Sequence, residues 1–188
     1  MTGHGRRGGI GRLAAVIASA LMLLATVASC TSGNGATVTY PVTSVGPDRT
    51  VSPAVTQTRG QLAQALGTQN LILADTQSPY RLPESAMLAS APRAVYQVTL
   101  PADPTGGYVV VYEFSDTAQA AQAAAEEQAY LASGPGRIQS PPGTVTVIRQ
   151  VGTTVVLYSW LPGAAQDPGA AAIQAALETL GLGYLVPA

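Results

Sequence analysis

After residue 94, the hydrophobic and polar positions follow the two-residue period of β-strands over four stretches. Val95–Leu100 places three apolar side chains on one face, and Tyr108–Phe114 carries apolar side chains on both faces, as a central strand does. Thr144–Gln150 and Thr153–Trp160 flank a turn at Val151-Gly152. Because turn-forming Pro, Asp and Gly residues also separate the first two strands, we predict two antiparallel hairpins.

Three other stretches carry helix signals. Gln61–Leu66 predicts a short helix that ends at the following glycine. Ser115–Ala132 predicts a long Ala-rich helix with its first residue as the N-cap. Asp167–Gly181 predicts a helix capped by its own Asp, with apolar side chains at i, i+4 and i+7.

A short buried strand at Leu71–Ala74 completes the predicted order, which is α-β-β-β-α-β-β-α. This order predicts an α+β fold in which an antiparallel sheet has its helices packed on one face. We assign the elements to a single domain at residues 60–188, which is long enough to bury a core. The apolar tail Leu182–Ala188 is expected to pack back onto it.

The N-terminus has the organisation of an export signal. Arg6, Arg7 and Arg12 precede Leu13–Thr26, an uncharged apolar run of fourteen residues. This run fits the roughly 7–15 residues of a signal peptide and falls short of the roughly 20 needed to span a bilayer. We therefore predict a cleaved signal peptide at residues 1–29, with the choice between the Sec and Tat export routes left open.

The signal ends in Val27-Ala28-Ser29-Cys30, which resembles the lipobox of bacterial lipoproteins. The resemblance implies cleavage between Ser29 and Cys30 and a diacylglyceryl group on the Cys30 thiol. It also implies a protein anchored to the cell membrane on the extracytoplasmic face, with the lipid membrane as a partner. The alternative is an ordinary signal or core helix that ends at a chance Cys.

Residues 30–59 are rich in Thr, Ser, Pro and Gly and lack helical periodicity, which predicts a flexible tether. An alternative is a strand at Ala36–Tyr40 that docks on the domain.

The stretch from Tyr108 onward also resembles a recurrent domain of small bacterial lipoproteins. The similarity rests on a strand ending in Tyr-Glu-Phe, an Ala-rich helix, a Pro-Pro loop, a hairpin turned at Gly152 and a short C-terminal helix. It implies the fold and no catalytic residue, and the His that often follows the Pro-Pro pair in relatives is missing here.

Composition narrows the possible chemistry. All nine basic residues are Arg, and the single His and single Cys are His4 and Cys30. Cleavage before Cys30 would remove the single His and leave Cys30 as the single Cys. Catalysis by Ser-His-Asp or Cys-His, and metal sites built from His or Cys, would then lack the side chains they require. We therefore predict no catalytic, cofactor-binding or metal-binding residue. A formal net charge of −1 argues against nucleic acid as a partner.

Two carboxylate pairs, one Arg and two aromatic residues are further candidates for a site. Glu126-Glu127 on a helix is expected to be a solvated face, because adjacent helical residues diverge by about 100°. Glu113 and Asp116 could converge, but helix capping already accounts for Asp116. Arg149 is expected to form a surface ion pair with Glu113 or Glu178. Tyr158 and Trp160 are expected to face the core rather than a ligand.

The irregular, Pro-rich stretch at residues 76–93 is the best candidate for recognition, since irregular segments carry binding residues more often than scaffolds do. Its candidate ligand or partner residues are Tyr80, Arg81, Glu84 and Arg93. We therefore expect a membrane-anchored lipoprotein with a non-enzymatic binding or scaffolding domain for an unknown protein or small molecule. The alternatives are a lipid or small-molecule carrier with a pocket between sheet and helices, and a carboxylate-based hydrolase.

Overall fold

A six-stranded antiparallel sheet organises the part of the chain that the computed structural model describes, residues 51–163 and 167–187. The predicted signal peptide, the lipobox with Ser29 and Cys30, the strand at Ala36–Tyr40 and the tether as far as residue 50 lie outside these residues. The strands are β1 (Leu73–Asp75), β2 (Arg93–Val98), β3 (Tyr108–Glu113), β4 (Val145–Val151), β5 (Thr154–Trp160) and β6 (Leu182–Leu185). The helices are α1 (Pro53–Gly67), α2 (Ala86–Ser90), α3 (Thr117–Ala132), α4 (Gly134–Gln139) and α5 (Gly169–Glu178).

The strands lie side by side in the order β1-β2-β3-β5-β4-β6. The predicted hairpins form, with Val95 opposite Val110 in β2–β3 and Ile148 opposite Leu157 in β4–β5. The apolar tail supplies β6, which pairs with β4 at one edge of the sheet. The α+β class and the antiparallel sheet are thus confirmed.

The helices cover both faces of the sheet, so the prediction of helices on one face was wrong. α1 and α5 pack on one face, against side chains such as Val109, Val111 and Val156. α3 and α2 pack on the other, against Val110 and Leu157. β3 and β5 carry apolar side chains on both faces of the sheet. Each face therefore needs its own helices to shield these side chains from water.

The first helix begins at Pro53, well before the predicted Gln61 and inside the stretch assigned to the tether. The Ser52 hydroxyl accepts a hydrogen bond from the Val55 N–H at 3.2 Å, and Pro53 occupies the first turn, where its missing N–H is not needed. The Thr58 hydroxyl, buried against the sheet, contacts that of Thr154 at 2.8 Å. Such polar residues on the buried side hid the helical period.

The α3 helix begins one residue later than predicted. Asp116 rather than Ser115 is the N-cap, and its carboxylate accepts a hydrogen bond from the Gln119 N–H at 2.8 Å. At 100° per residue the sequence predicts an apolar face of Ala121, Ala124, Ala125, Leu131 and Ala132, and of these Ala124 and Leu131 are buried. Ala121 is half-buried, and Ala125 and Ala132 are exposed; the other buried positions of the helix are Ala120, Ala123 and Glu127. With 16 residues α3 is the longest described helix, and none of the described helices is long and apolar enough to cross a membrane.

The last helix begins at Gly169 with Pro168 at the N-cap, so the prediction of Asp167 as the N-cap was wrong by one residue. Asp167 still provides a stability test. Asp167 is 8% exposed, and its carboxylate accepts from the Gly169 N–H at 2.8 Å and the Ala102 N–H at 2.7 Å. Asp167→Ala leaves both donors without a partner and is expected to lower the free energy of unfolding by about 2 kcal/mol. Urea unfolding measures the loss, with the exposed cap variant Asp116→Ala as control. A loss no larger than that of the control would contradict the two-bond role.

Candidate functional site

The β1–β2 connection, residues 76–92, crosses the sheet on the α3 face. Apart from α2 it has no regular secondary structure. Tyr80 stacks on Tyr108 of β3 with ring centroids 4.3 Å apart and planes at 19°. Leu82 and Leu88 pack into the core cluster on this face. The stretch predicted as a recognition loop is therefore a cover over the sheet, with its own polar residues gathered beneath it.

Glu84 is the centre of that polar group. Its Oε1 accepts hydrogen bonds from the Tyr112 hydroxyl at 2.6 Å and from the Arg93 guanidinium at 2.8 Å, and its side chain is only 4% exposed. The Arg81 guanidinium lies 3.7 Å from the other carboxylate oxygen. The structure thus brings together three of the four predicted residues, while Tyr80 lies apart on Tyr108.

Tyr112 was missed as a polar residue of the site, because the strand pattern indicated only a core position. Burial, followed by the hydrogen bond to Glu84, raises the pKa of Tyr112 far above its usual range. The hydroxyl therefore keeps its proton and serves as a fixed donor to the carboxylate.

The Glu126-Glu127 pair is not the solvated face that we predicted. Glu127 is fully buried, and its Oε2 accepts a hydrogen bond from the Ser85 N–H at 2.7 Å. Oε1 of the half-buried Glu126 accepts from the Met87 N–H at 3.1 Å. Each carboxylate thus holds a main-chain donor at the N-terminus of α2, Glu127 at the N-cap residue Ser85 and Glu126 at Met87 in the first turn. The sequence did contain an indication that Glu127 is buried, since it lies four residues after Ala123 and therefore on the same face of the helix.

Two buried polar atoms in this group have no hydrogen-bond partner among the described residues, Glu127 Oε1 and Ser85 Oγ. Burial raises the pKa of Glu127 to about 6, the Ser85 hydrogen bond opposes this change, and the charges of Glu84 and Glu126 reinforce it. A carboxyl group in this position binds a proton at a higher pH than an ordinary Glu does.

Two open grooves flank the β1–β2 connection. The α2 groove has a volume of about 460 Å³ and is lined by Met87, Ser90, Ala91, Pro92, Glu113, Phe114, Ser115 and Gln119. The Tyr80 groove has a volume of about 260 Å³ and is lined by Tyr80, Arg81, Leu82, Pro83, Gln139, Ser140, Pro141, Thr144, Ser159, Trp160 and Leu161. The connection forms one wall of each groove, and neither Glu84 nor Glu127 lines them.

The other candidate residues from the sequence have structural partners. Arg149 forms no ion pair with Glu113 or Glu178 within the described residues. It donates instead to the backbone oxygens of Leu180 at 2.6 Å and Gly181 at 3.0 Å, just beyond the C-terminus of α5. Burial lowers the pKa of Arg149, and carbonyl groups beyond a helix end suit its charge.

Asp116 serves as a helix cap, as the sequence indicated. The Gln119 N–H, and then the Ser115 hydroxyl, lower its pKa. Tyr158 is buried as predicted, and its hydroxyl donates to the Ala170 oxygen at 3.2 Å. Trp160 is half-buried against the core on the α1 and α5 face, with its indole N–H on Gln174 Oε1 at 2.8 Å.

Within residues 51–163 and 167–187, no three His, Cys, Asp or Glu side chains lie close enough together to hold a metal ion. In comparisons with known proteins, no family model, no curated protein and no solved structure matched this chain.

Proposed function

We propose that this chain is a bacterial lipoprotein, anchored through diacylglyceryl Cys30 to the extracytoplasmic face of the cell membrane. In this proposal its α+β domain binds a partner without catalysis. The signal organisation and the Val27-Ala28-Ser29-Cys30 sequence support the anchor. The β1–β2 connection supports the binding role.

The observation that carries the binding role is that one irregular segment forms a wall of two open grooves. Arg81 lies in the wall of the Tyr80 groove with its side chain 59% exposed, and its contact with Glu84 is loose at 3.7 Å. This guanidinium is free to meet an acidic group of a partner. By contrast, Glu84 and Glu127 hold the connection in place, which favours binding over carboxylate-based hydrolysis.

A second candidate function is the carriage of a small molecule, favoured by the α2 groove. Its volume of about 460 Å³ lies within the roughly 300–1,000 Å³ of small-molecule sites. Met87 and Phe114 give it an apolar lining. The α2 groove is open to solvent, whereas a small-molecule site buries about 70–90% of the surface of its ligand. The groove therefore favours partner binding over carriage of a small molecule.

Site-specific photocrosslinking in the native membrane tests the binding role. A photoreactive side chain at Gln139, which is exposed and lines the Tyr80 groove, is expected to give a discrete crosslinked product. The same group at Gln64, exposed on α1 at the opposite face of the sheet, is the control. No product at Gln139, or the same product from both positions, would contradict a binding surface at this groove.

A further inference from the structure

We propose that Glu127 is a proton-dependent latch that fastens the β1–β2 connection to α3. Proton binding at this buried carboxyl closes the latch, and ionisation loosens the connection and with it one wall of each groove. The inference does not depend on the partner or the lipid anchor proposed above, since it concerns only the attachment of residues 76–92.

The contacts of Glu127 define the closed state. One carboxylate oxygen accepts from the Ser85 N–H at 2.7 Å. The other oxygen and the Ser85 hydroxyl are buried with no partner. Either form of Glu127 can share a hydrogen bond with this hydroxyl, which is both a donor and an acceptor, but the ionised form also places a charge with no cation of its own in the core. Buried unpaired charge is far more costly than a buried neutral acid.

Charges on the surrounding elements act in the same direction. From the connection itself, the buried Glu84 faces Glu127, and on α3 Glu126 is its neighbour. Tyr112 from β3 stays protonated and brings no positive charge. Arg93 and Arg81 both contact Glu84, so their positive charges offset the charge of Glu84 and not that of Glu127. Ionised Glu127 is therefore a third negative charge beside Glu84 and Glu126, without a cation of its own.

The direction of the pH effect follows from these contacts. When the connection is closed over Glu127, burial raises the pKa of this carboxyl group from the ordinary 4.5 to about 6. The proton's contribution to closing is fully present below about 4.5 and is lost as the pH rises through about 6. Opening of the connection should therefore increase roughly 10-fold between about pH 5 and about pH 7.5.

Hydrogen exchange on the full chain in detergent measures this opening. Amide exchange in residues 85–91, corrected for the intrinsic effect of pH, is expected to rise roughly 10-fold over that range. Glu127→Gln should abolish the rise and keep the segment protected, because its amide can accept from the Ser85 N–H and donate to the Ser85 hydroxyl. Glu126→Gln is the matched control and should retain most of the rise, since Glu127 still titrates, the new amide oxygen can accept from the Met87 N–H, and only the charge repulsion from Glu126 is lost.

Two results would overturn the latch. One is a native chain whose exchange, after correction for the intrinsic effect of pH, does not change between about pH 5 and about pH 7.5; the other is a rise that survives in Glu127→Gln. If that variant does not fold, the native protein still decides the question through a carboxyl carbon NMR titration. The latch requires a midpoint for Glu127 at about 6, and a midpoint at the ordinary 4.5 would exclude it.

Discussion

Replacing Arg93 by Met is expected to lower the free energy of unfolding by about 3 kcal/mol. Arg93 donates to Glu84 at 2.8 Å, and the two side chains are 22% and 4% exposed. Met preserves the unbranched apolar stem of the side chain but removes the guanidinium, which leaves Glu84 buried with only the Tyr112 hydroxyl at hydrogen-bond distance. Removing one partner of a buried pair is costly because the other charge remains out of water.

Arg59→Met is the control for this substitution. Arg59 pairs with both oxygens of Asp75 at 2.8 Å, a geometry at least as good, but the side chains are 37% and 71% exposed. Water screens such a pair, and we expect a loss below about 1 kcal/mol. Urea unfolding of both variants gives the comparison. Equal losses would mean that burial does not determine the strength of the Glu84 pair. Adding Glu84→Gln to Arg93→Met should recover part of the loss.

The sheet was predictable because its signal is local. The alternation in β2 and the two-sided apolar pattern of β3 lie within a few residues, and Gly152, with φ of 60°, marks the tight turn between β4 and β5. The position of the helices was not predictable in the same way. Whether a helix crosses to one face of a sheet or the other depends on the path of the whole connection, which apolar spacing does not encode.

The polar group beneath the connection shows the same limit. Glu84 reaches Tyr112 across 28 residues of sequence, and Glu127 reaches Ser85 across 42. No spacing rule relates such positions, so the sequence indicated the segment but not the partners of its residues. The Glu127 carboxylate was misassigned for a further reason. A charged residue on a helix is usually exposed, and only its place on the Ala stripe indicated otherwise.

The proposed lipid anchor and the proposed latch concern different parts of the chain and can be tested separately. Arg93→Met and Glu127→Gln change the domain and leave Val27-Ala28-Ser29-Cys30 intact, so both variants are expected to form the proposed anchor. Conversely, a chain without its lipid should keep the Glu84 ion pair.

Metabolic labelling with radioactive palmitate tests the central claim, anchoring through Cys30, most directly. In a bacterium that expresses the full chain, the native protein is expected to incorporate label and to remain in the membrane fraction. Cys30→Ala removes the thiol that would carry the diacylglyceryl group and should lose all label, whereas Ser29→Ala, which keeps a small residue before the cleavage point, should retain it. Incorporation of palmitate that survives Cys30→Ala would contradict the account.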